Sequence, residues 1–235
     1  MIGLDVGSTT AKIVLLHEGN VTKSKVVPSH RWQELVDADI DEMQIISTGY
    51  FRKKVPHRDA ITEITAAIFG VKYHFPETQM IVDIGGQDTK VIDLRNNSFL
   101  INDKCSAGTG AFLELAAHYF DIPVASLGEL HNRVREGAQI NNTCGVFAIS
   151  EMISQLVKGY TMEEVVHGIH QAFARRISQM IPPTEKVTMI GGTVLNTGIL
   201  DAMNSILNSK IKVPPEPQLI NALGAALYGE QKVLK

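Results

Sequence analysis

Residues 5–12 read Asp-Val-Gly-Ser-Thr-Thr-Ala-Lys, and residues 83–90 read Asp-Ile-Gly-Gly-Gln-Asp-Thr-Lys. The chain therefore carries one pattern twice, with acid, branched apolar residue, glycine and lysine in register. Each copy lies between two short apolar runs, which predicts a strand, a tight turn and a returning strand. Glycines in such a turn let backbone N–H groups and small hydroxyls come close to a polyphosphate. The repeat predicts two phosphate-binding hairpins.

Other polar residues extend this prediction to a complete nucleotide site. Asp5 and Asp83 each end a predicted strand and are suited to orienting a hydrated Mg²⁺ ion through water. A third glycine element, residues 191–198, follows an apolar strand and leads into a helix, as adenosine and ribose contacts often require. A single Asp-x-Gly after a strand is usually only a turn. Two aligned copies and a third loop favour nucleotide binding instead.

The pattern of apolar residues predicts a first half that consists mainly of β-strands and a second half that contains both helices and strands. The predicted strands cover residues 2–6, 11–16, 20–27, 44–48, 80–83, 90–94, 99–102 and 187–190. The predicted helices cover residues 61–69, 111–119, 146–158, 162–180, 199–207 and 218–228. We expect two lobes, 1–80 and 81–235, with an approximate boundary and with a C-terminal helix that can pack back on the first lobe.

The composition narrows the function classes. The 235 residues are 44% hydrophobic and 20% charged, which is ordinary for a globular protein. The formal net charge of −3 comes without a basic stripe, so we expect no nucleic-acid partner. The first residues lack the basic and apolar pattern of a signal peptide, and no apolar run approaches membrane-spanning length. We expect a cytoplasmic protein without a membrane partner.

The chain has two cysteines, Cys105 and Cys144, and each directly precedes a predicted helix. The partial positive charge of a helix N-terminus favours the thiolate form, which binds metal. Two thiolates are too few for an iron–sulfur cubane, which takes four, but a two-fold homodimer would supply two from each chain. Unpaired cysteines in reducing compartments are more often small apolar packing residues, so from spacing alone both interpretations stay open.

The three glycine loops, in this order, resemble the superfamily of sugar kinases, heat-shock ATPases and actin. That resemblance predicts an α/β, actin-like (ribonuclease H-like) ATPase fold of two similar lobes with a nucleotide cleft between them. Residues 102–114 read Asn-Asp-Lys-Cys-Ser-Ala-Gly-Thr-Gly-Ala-Phe-Leu-Glu, and residues 144–151 read Cys-Gly-Val-Phe-Ala-Ile-Ser-Glu. These segments resemble the activators of 2-hydroxyacyl-CoA dehydratases and the ATPase subunits of benzoyl-CoA reductases.

The resemblance implies a homodimeric ATPase in which one 4Fe-4S cluster is shared between the subunits through Cys105 and Cys144. Such a protein takes an electron from ferredoxin or flavodoxin and passes it, with ATP hydrolysis, to a dehydratase or reductase component. Asp5, Asp83, Gln87 and Asp88 are the implied catalytic residues, and Gln87 or Asp88 would position the attacking water. The implied ATP/ADP contacts are Gly7, Ser8, Thr9, Thr10, Lys12, Gly85, Gly86, Gln87, Gly108, Thr109, Gly110, Gly191, Gly192 and Asn196.

Three residues depart from the expected family pattern. Phe51 stands where we expect glycine, Ala111 where we expect arginine and Ile149 where we expect an acid. His167 and His170 lie three residues apart on a predicted helix, and we expect them at the surface. Two alternative functions remain from the sequence: a sugar or carboxylate kinase, and a cluster-free ATP-binding regulatory protein.

Overall fold

The protein folds around two β-sheets that carry the two predicted hairpins. A computed structural model describes residues 1–36, 40–141, 144–208 and 210–233, except for the side chain of Val146. The strands are β1 (Ile2–Val6), β2 (Thr10–His17), β3 (Asn20–Pro28), β4 (Ile45–Thr48), β5 (Asp59–Ala60), β6 (Met80–Ile84), β7 (Thr89–Asp93), β8 (Ser98–Asn102) and β9 (Val187–Ile190). The helices are α1 (Glu63–His74), α2 (Gly110–Tyr119), α3 (Ser126–His131), α4 (Gly145–Val157), α5 (Met162–Ser178), α6 (Thr197–Leu207) and α7 (Ile220–Val233).

The two sheets share one topology. The first has the strand order β3-β2-β1-β4-β5 and the second the order β8-β7-β6-β9. In both, three antiparallel strands form a meander, and a parallel strand, β4 or β9, pairs with the free side of the first strand of the hairpin. Strands β1 and β6 are buried along their whole length, which explains why they read as continuous apolar runs. The sequence repeat is thus also a structural repeat.

The registers of the two hairpins are equivalent. Asp5 pairs with Lys12 across the first hairpin, and Asp83 pairs with Lys90 across the second. The turns close alike, because Gly7 N–H donates to the Thr10 carbonyl at 3.1 Å and Gly85 N–H donates to the Asp88 carbonyl at 2.9 Å. Residues that are aligned by sequence therefore occupy matching positions in the two hairpins.

Small residues let α7 pack against the first sheet and against α1. A Cβ atom on Gly3 of β1 would lie 1.8 Å from the Ala222 carbonyl oxygen, and one on Gly224 would lie 1.8 Å from the Ala66 carbonyl oxygen. Only glycine permits backbones to approach so closely. The C-terminal helix is therefore a neighbour of the first sheet in space, although it follows the second sheet in sequence. The division at residue 80 stays a prediction.

The structure extends the predicted elements and corrects one prediction. The predicted strands and helices are present, with ends that differ by up to about five residues, and the short strand β5, a 3₁₀ helix (Ser29–Leu35) and helix α3 were not predicted. His167 and His170 are not surface residues, since 7% and 0% of their surfaces are exposed. Helix α5 is buried on most of its circumference, so the expectation of an outward face there was wrong. Among the described residues, no helix is long and apolar enough to cross a membrane.

Candidate functional site

A cavity of about 360 Å³ lies where the two hairpins and the third glycine loop meet. It brings together fourteen of the residues predicted from sequence: Asp5, Gly7, Ser8, Thr9, Thr10, Lys12, Asp83, Gly85, Gly86, Asp88, Gly110, Gly191, Gly192 and Asn196. Three of the predicted nucleotide-site residues do not line it, since Gln87 is exposed and Gly108 and Thr109 are buried away from the cavity surface, and neither predicted cysteine ligand lines it. Loops distant in sequence thus converge on one concave site, as ligand sites require.

The turns of the two hairpins meet beside this cavity. A Cβ atom on Gly86 would lie 2.1 Å from the hydroxyl oxygen of Thr9, so a larger residue there would force the turns apart. Backbone N–H groups at tight glycine turns form concave sites that bind phosphate oxygens. The facing turns can therefore contact one polyphosphate from two sides.

Asp5 and Asp83 lie at the cavity with 3% of each residue exposed. Oδ2 of Asp5 accepts a hydrogen bond from the Lys12 ammonium at 3.2 Å, and Oδ2 of Asp83 accepts one from the Asn221 amide at 2.9 Å. Oδ1 of Asp5 is buried and has no hydrogen-bond partner among the described residues. Burial raises the pKa of Asp83 above its ordinary value. A buried carboxylate oxygen without a donor suits a magnesium ion held through its water shell.

A second charged cluster includes a residue that the sequence did not reveal. The Lys90 ammonium lies 2.7 Å from Oδ2 of Asp88 and 3.3 Å from Oε1 of Glu63, and Glu63 lines the cavity. Burial is the main reason that the pKa of Glu63 is raised to about 7; the nearby acids Asp5, Asp83 and Asp88 contribute to this rise, and Lys90 opposes it. Burial alone lowers the pKa of Lys90, but these carboxylates hold it above its ordinary value. The single Lys90 ammonium thus offsets part of the negative charge of several carboxylates.

The third loop depends on a backbone conformation that glycine favours. Gly191 has φ of +97°, and a Cβ atom there would lie 2.3 Å from the Ile84 carbonyl oxygen. The loop continues through a short 3₁₀ helix to Asn196, whose Oδ1 accepts from Gly198 N–H at 2.9 Å and caps α6. The loop is therefore held on one side by strand β6 and on the other by the start of α6.

The segment that carries Cys105 is bonded directly to the second hairpin. Gly110 N–H donates to the Gly85 carbonyl at 2.9 Å, and Ala111 N–H donates to the Gly86 carbonyl at 2.7 Å. The Asn102 amide closes the loop by donating to the carbonyls of Cys105 at 3.0 Å and of Ala107 at 2.9 Å. The first turn of α2 and the phosphate turn therefore form one hydrogen-bonded unit.

Cys144 is the N-cap residue of α4, and both cysteines are half-buried. Their segments touch, because a Cβ atom on Gly145 would lie 2.5 Å from the Ser106 hydroxyl oxygen. Within the described ranges, no group of three or more His, Cys, Asp or Glu side chains could hold a metal ion. A metal centre held by Cys105 and Cys144 would therefore need further ligands from a second chain.

The chain matches the BadF/BadG/BcrA/BcrD ATPase family over residues 2–229. It belongs to this family. The 2-hydroxyisocaproyl-CoA dehydratase activator of Clostridioides difficile is 40% identical over 248 residues, which cover 97% of this chain and 93% of that protein. The fold is the actin-like ATPase fold of these proteins.

Two solved structures show the same fold over the whole chain. The activator of the 2-hydroxyisocaproyl-CoA dehydratase from Clostridium difficile, with bound ADPNP, has a TM-score of 0.91 and 38% identity and covers 100% of this chain and 97% of its own. Component A of the (R)-2-hydroxyglutaryl-CoA dehydratase from Acidaminococcus fermentans has a TM-score of 0.92 and 34% identity, with 100% and 98% covered. The predictions of family and fold are confirmed.

The departures from the family pattern fall in three different environments. Phe51 is 40% exposed, and its N–H donates to the Val6 carbonyl beside the first hairpin at 3.0 Å. Ala111 is half-buried in the first turn of α2 and bonds the phosphate turn through its backbone. Ile149 is half-buried and packs against the larger hydrophobic core. None of the three contributes a polar group to the cavity of this family member.

Two cavity residues of this ATPase could not be found by motif reasoning. Glu63 follows Thr62, whose hydroxyl accepts from Thr65 N–H and caps α1, so the sequence signal there indicates only a helix start. Asn221 lies in the first turn of α7, far in sequence from the Asp83 that it contacts. The contact follows from the packing of α7 and not from any local pattern.

Proposed function

We propose that this protein is an ATP-hydrolysing activator that delivers a low-potential electron through an iron–sulfur cluster to a 2-hydroxyacyl-CoA dehydratase or a related CoA-ester reductase. Family membership and the names of the relatives support the proposal. The observation that carries it is the pair of hydrogen bonds from Gly110 and Ala111 to the phosphate turn, five and six residues after Cys105. A nucleotide-sensing turn and a thiol thus belong to one rigid segment.

In this proposal ATP or ADP lies between the hairpins. The phosphate contacts are Gly7, Ser8, Thr9, Thr10 and Lys12 on one side and Gly85, Gly86 and Gln87 on the other. The adenosine contacts are Gly191, Gly192 and Asn196, and Gly108, Thr109 and Gly110 support the phosphate turn from behind. Asp5 and Asp83 hold Mg²⁺ through water, which supplies positive charge against the phosphates.

We assign the attacking water to the side of the cavity where the second charged cluster lies. Asp88 lines the cavity, whereas Gln87 is exposed next to it, and both remain candidates for positioning the water. Glu63 is a further candidate, because its pKa of about 7 lets it accept a proton at neutral pH. Phosphoryl transfer depends mainly on positioning and on charge stabilisation, which these residues supply together with Lys90.

One 4Fe-4S cluster bound by Cys105 and Cys144 of two chains would supply the electron. The contact between Gly145 and Ser106 supports a shared ligand site within each chain. Cys144 is the N-cap residue of α4, and Cys105 lies in the loop that leads into α2. The cluster would therefore join the N-terminal ends of two helix pairs.

Exposed apolar side chains on the elements that flank the cysteines support the homodimer. On α4, which begins after Cys144, Phe147 and Val157 expose 68% and 83% of their surfaces. On β8, the edge strand that precedes Cys105, Phe99 and Leu100 are more than half exposed. Contiguous exposed apolar side chains commonly mark protein interfaces. A two-fold axis through the cysteines would bury such side chains in both subunits.

ATP can shift the cluster only through its differential affinity for two arrangements of the dimer. The turn of residues 85–88 would sense the γ-phosphate, and its bonds to α2 would pass the change to Cys105. We expect the cytoplasm as the compartment, because reduced thiols persist there. The donor would be ferredoxin or flavodoxin, and the acceptor the dehydratase or reductase component.

The proposal is tested by anaerobic purification followed by iron and sulfide assays, visible spectroscopy and native mass measurement. We expect a brown dimer with about four irons per dimer, as a shared cubane requires. Cys105→Ser and Cys144→Ser should each lose the iron but still bind ATP, and this retained binding is the control for folding. A colourless protein prepared without oxygen would favour a cluster-free regulator. ADP release that depends on a sugar or carboxylate would favour a kinase.

A further inference from the structure

A narrow cleft lies between helix α5 and the two segments that carry the cysteines. Cys144 lines it on one side, and Gly108, three residues after Cys105, lines it on another. Helix α5 supplies a further wall, which includes Arg176. Within the described part of the chain, Arg176 is the only charged residue that lines this cleft. The cleft therefore contains one cation beside the segments that carry both thiols.

The loop that carries Cys105 leaves room for the Arg176 side chain. Gly108 has φ of +84°, a conformation that favours glycine, and a Cβ atom there would lie 3.2 Å from Cγ of Arg176. The aliphatic part of Arg176 thus packs across the backbone of this loop. The same side chain shares the cleft with Cys144. The guanidinium is therefore held within one side-chain length of both cysteine segments.

The Arg176 guanidinium has no anionic partner among the described residues. Arg175, the preceding residue, donates to the Ile140 carbonyl at 2.9 Å, whereas Arg176 makes no hydrogen bond or ion pair in the same part of the chain. Arg176 is nevertheless half-buried. Partial burial of a cation without an anion is unfavourable. The arrangement points to an anion that comes from outside the chain.

The basic residue next to a cysteine in sequence is placed differently. Lys104 directly precedes Cys105, but its side chain is 87% exposed and its ammonium pairs with Asp103 at 3.0 Å. The first turns of α2 and α4, residues 110–113 and 145–148, contain no basic residue. Lys104 is a solvated charge that water screens, whereas Arg176 is partly withdrawn from water.

We propose that Arg176 holds its guanidinium beside the iron–sulfur cluster and makes that cluster easier to reduce by offsetting its negative charge. This inference rests on the proposed function, since it assumes a cluster bound by Cys105 and Cys144. It assigns a role to a residue that lies on neither cysteine segment and that no motif identifies.

The direction of the effect follows from the charge of the cluster. Four thiolate ligands give an iron–sulfur cubane a net negative charge, and one electron from the donor makes it more negative by one unit. A nearby cation stabilises the reduced form more than the oxidised form, because the Coulomb energy grows with the charge. Two-fold symmetry would place the Arg176 side chains of both subunits beside one cluster, so a substitution removes both cations at once.

The test is a redox titration of the anaerobically purified holo-dimer, followed by electron paramagnetic resonance. Arg176→Gln removes the charge and keeps a polar side chain, whereas Arg176→Lys keeps the charge. We expect the equilibrium constant for reduction to fall about tenfold in the glutamine variant, which is 59 mV for one electron. The lysine variant should stay within about threefold of the wild type. Lys104→Gln is the matched control, and it should stay within about twofold because an exposed charge is screened.

The iron content and the ATP affinity of each variant are measured beside the potential. Retained ATP binding shows that a variant is folded. Iron loss in the glutamine variant alone would also support the inference, because the anionic cluster would then depend on the charge of Arg176. Equal reduction potentials of the glutamine variant and the wild type would overturn it. Equal shifts, or equal iron loss, in the glutamine and lysine variants would overturn it as well, because packing and not charge would then be responsible.

The wild-type measurement distinguishes this inference from the proposed function. A wild-type protein that holds no iron when prepared without oxygen removes the function on which the inference rests. A wild-type protein with a cluster whose potential is unaltered by Arg176→Gln removes only the role of Arg176.

Discussion

Replacement of Glu63 by Gln should stabilise the protein at high pH and have little effect at low pH. The pKa of Glu63 rises from 4.5 to about 7 because the side chain is buried among other acids. At about 1.4 kcal/mol per pH unit, this interval corresponds to about 3 kcal/mol of free energy of unfolding. The side chain is 22% exposed, and water screens part of the charge, so we expect about 2–3 kcal/mol.

The sign of this stability change follows from the proton on Glu63, which the native state retains at pH values where the unfolded state has lost it. Below pH 4.5 Glu63 is protonated in both the native and the unfolded state, so the substitution changes little. Between pH 4.5 and 7 the native state binds more protons than the unfolded state, and the stability of the wild type falls as the pH rises. Above pH 7 the wild type carries the whole penalty of the buried charge, which the neutral glutamine variant lacks.

The assay is thermal and urea unfolding of both proteins at pH 5, 6, 7 and 8, without magnesium and nucleotide. For a chain of this size, 2–3 kcal/mol corresponds to a rise in Tm of about 4–12 °C at pH 8. Glu114→Gln is the matched control, because Glu114 lines the same cavity but is exposed, and its change should stay within about 0.5 kcal/mol. A Glu63→Gln effect that is equal at pH 5 and pH 8, or absent at pH 8, would refute the electrostatic explanation.

Three other changes have expected outcomes. Gly86→Ala should weaken ATP binding at least tenfold in titration calorimetry, because its Cβ would overlap a threonine hydroxyl of the facing hairpin. Asn221→Leu should raise the pKa of Asp83 further and weaken Mg²⁺-dependent nucleotide binding more than Mg²⁺-free binding, measured with and without EDTA. Gln87→Ala should lower the turnover number with unchanged KM if Gln87 positions the water, and an unchanged turnover number removes it from the mechanism.

The features that could be predicted from the sequence are those that depend on local patterns. The two hairpins were visible because glycine, acid and lysine recur at fixed spacing, and their registers then followed from the turn. The same reasoning located Cys105 and Cys144 before helices, since the positions of helix starts depend on nearby residues. Local sequence is enough to infer these features, because they depend on few long-range contacts.

The features that escaped prediction depend on packing between distant segments. His170 was expected at the surface, but Gly168 lies against the Ala138 carbonyl, and the small residues near it let α5 enter the core. Glu63 carries no motif, and its raised pKa arises from acids contributed by both sheets. The small residues Gly168, Ala172 and Ala174 near His170 were the available signal of burial, and no comparable local signal existed for Glu63.

Helix α7 connects the two halves of the site and limits how the site can respond to nucleotide. Asn221 of α7 binds the Asp83 carboxylate of the second sheet, and the adjacent Ala222 lies against Gly3 of the first sheet. The floor of the cavity is thereby tied to both sheets through one rigid turn of helix. A structural difference between the ATP-bound and ADP-bound states would then arise at the rim of the cavity, where the turns meet at Thr9 and Gly86. Because that rim is bonded to the first turn of α2, the proposed function predicts that nucleotide exchange moves the Cys105 segment and leaves the floor around Asp83 in place.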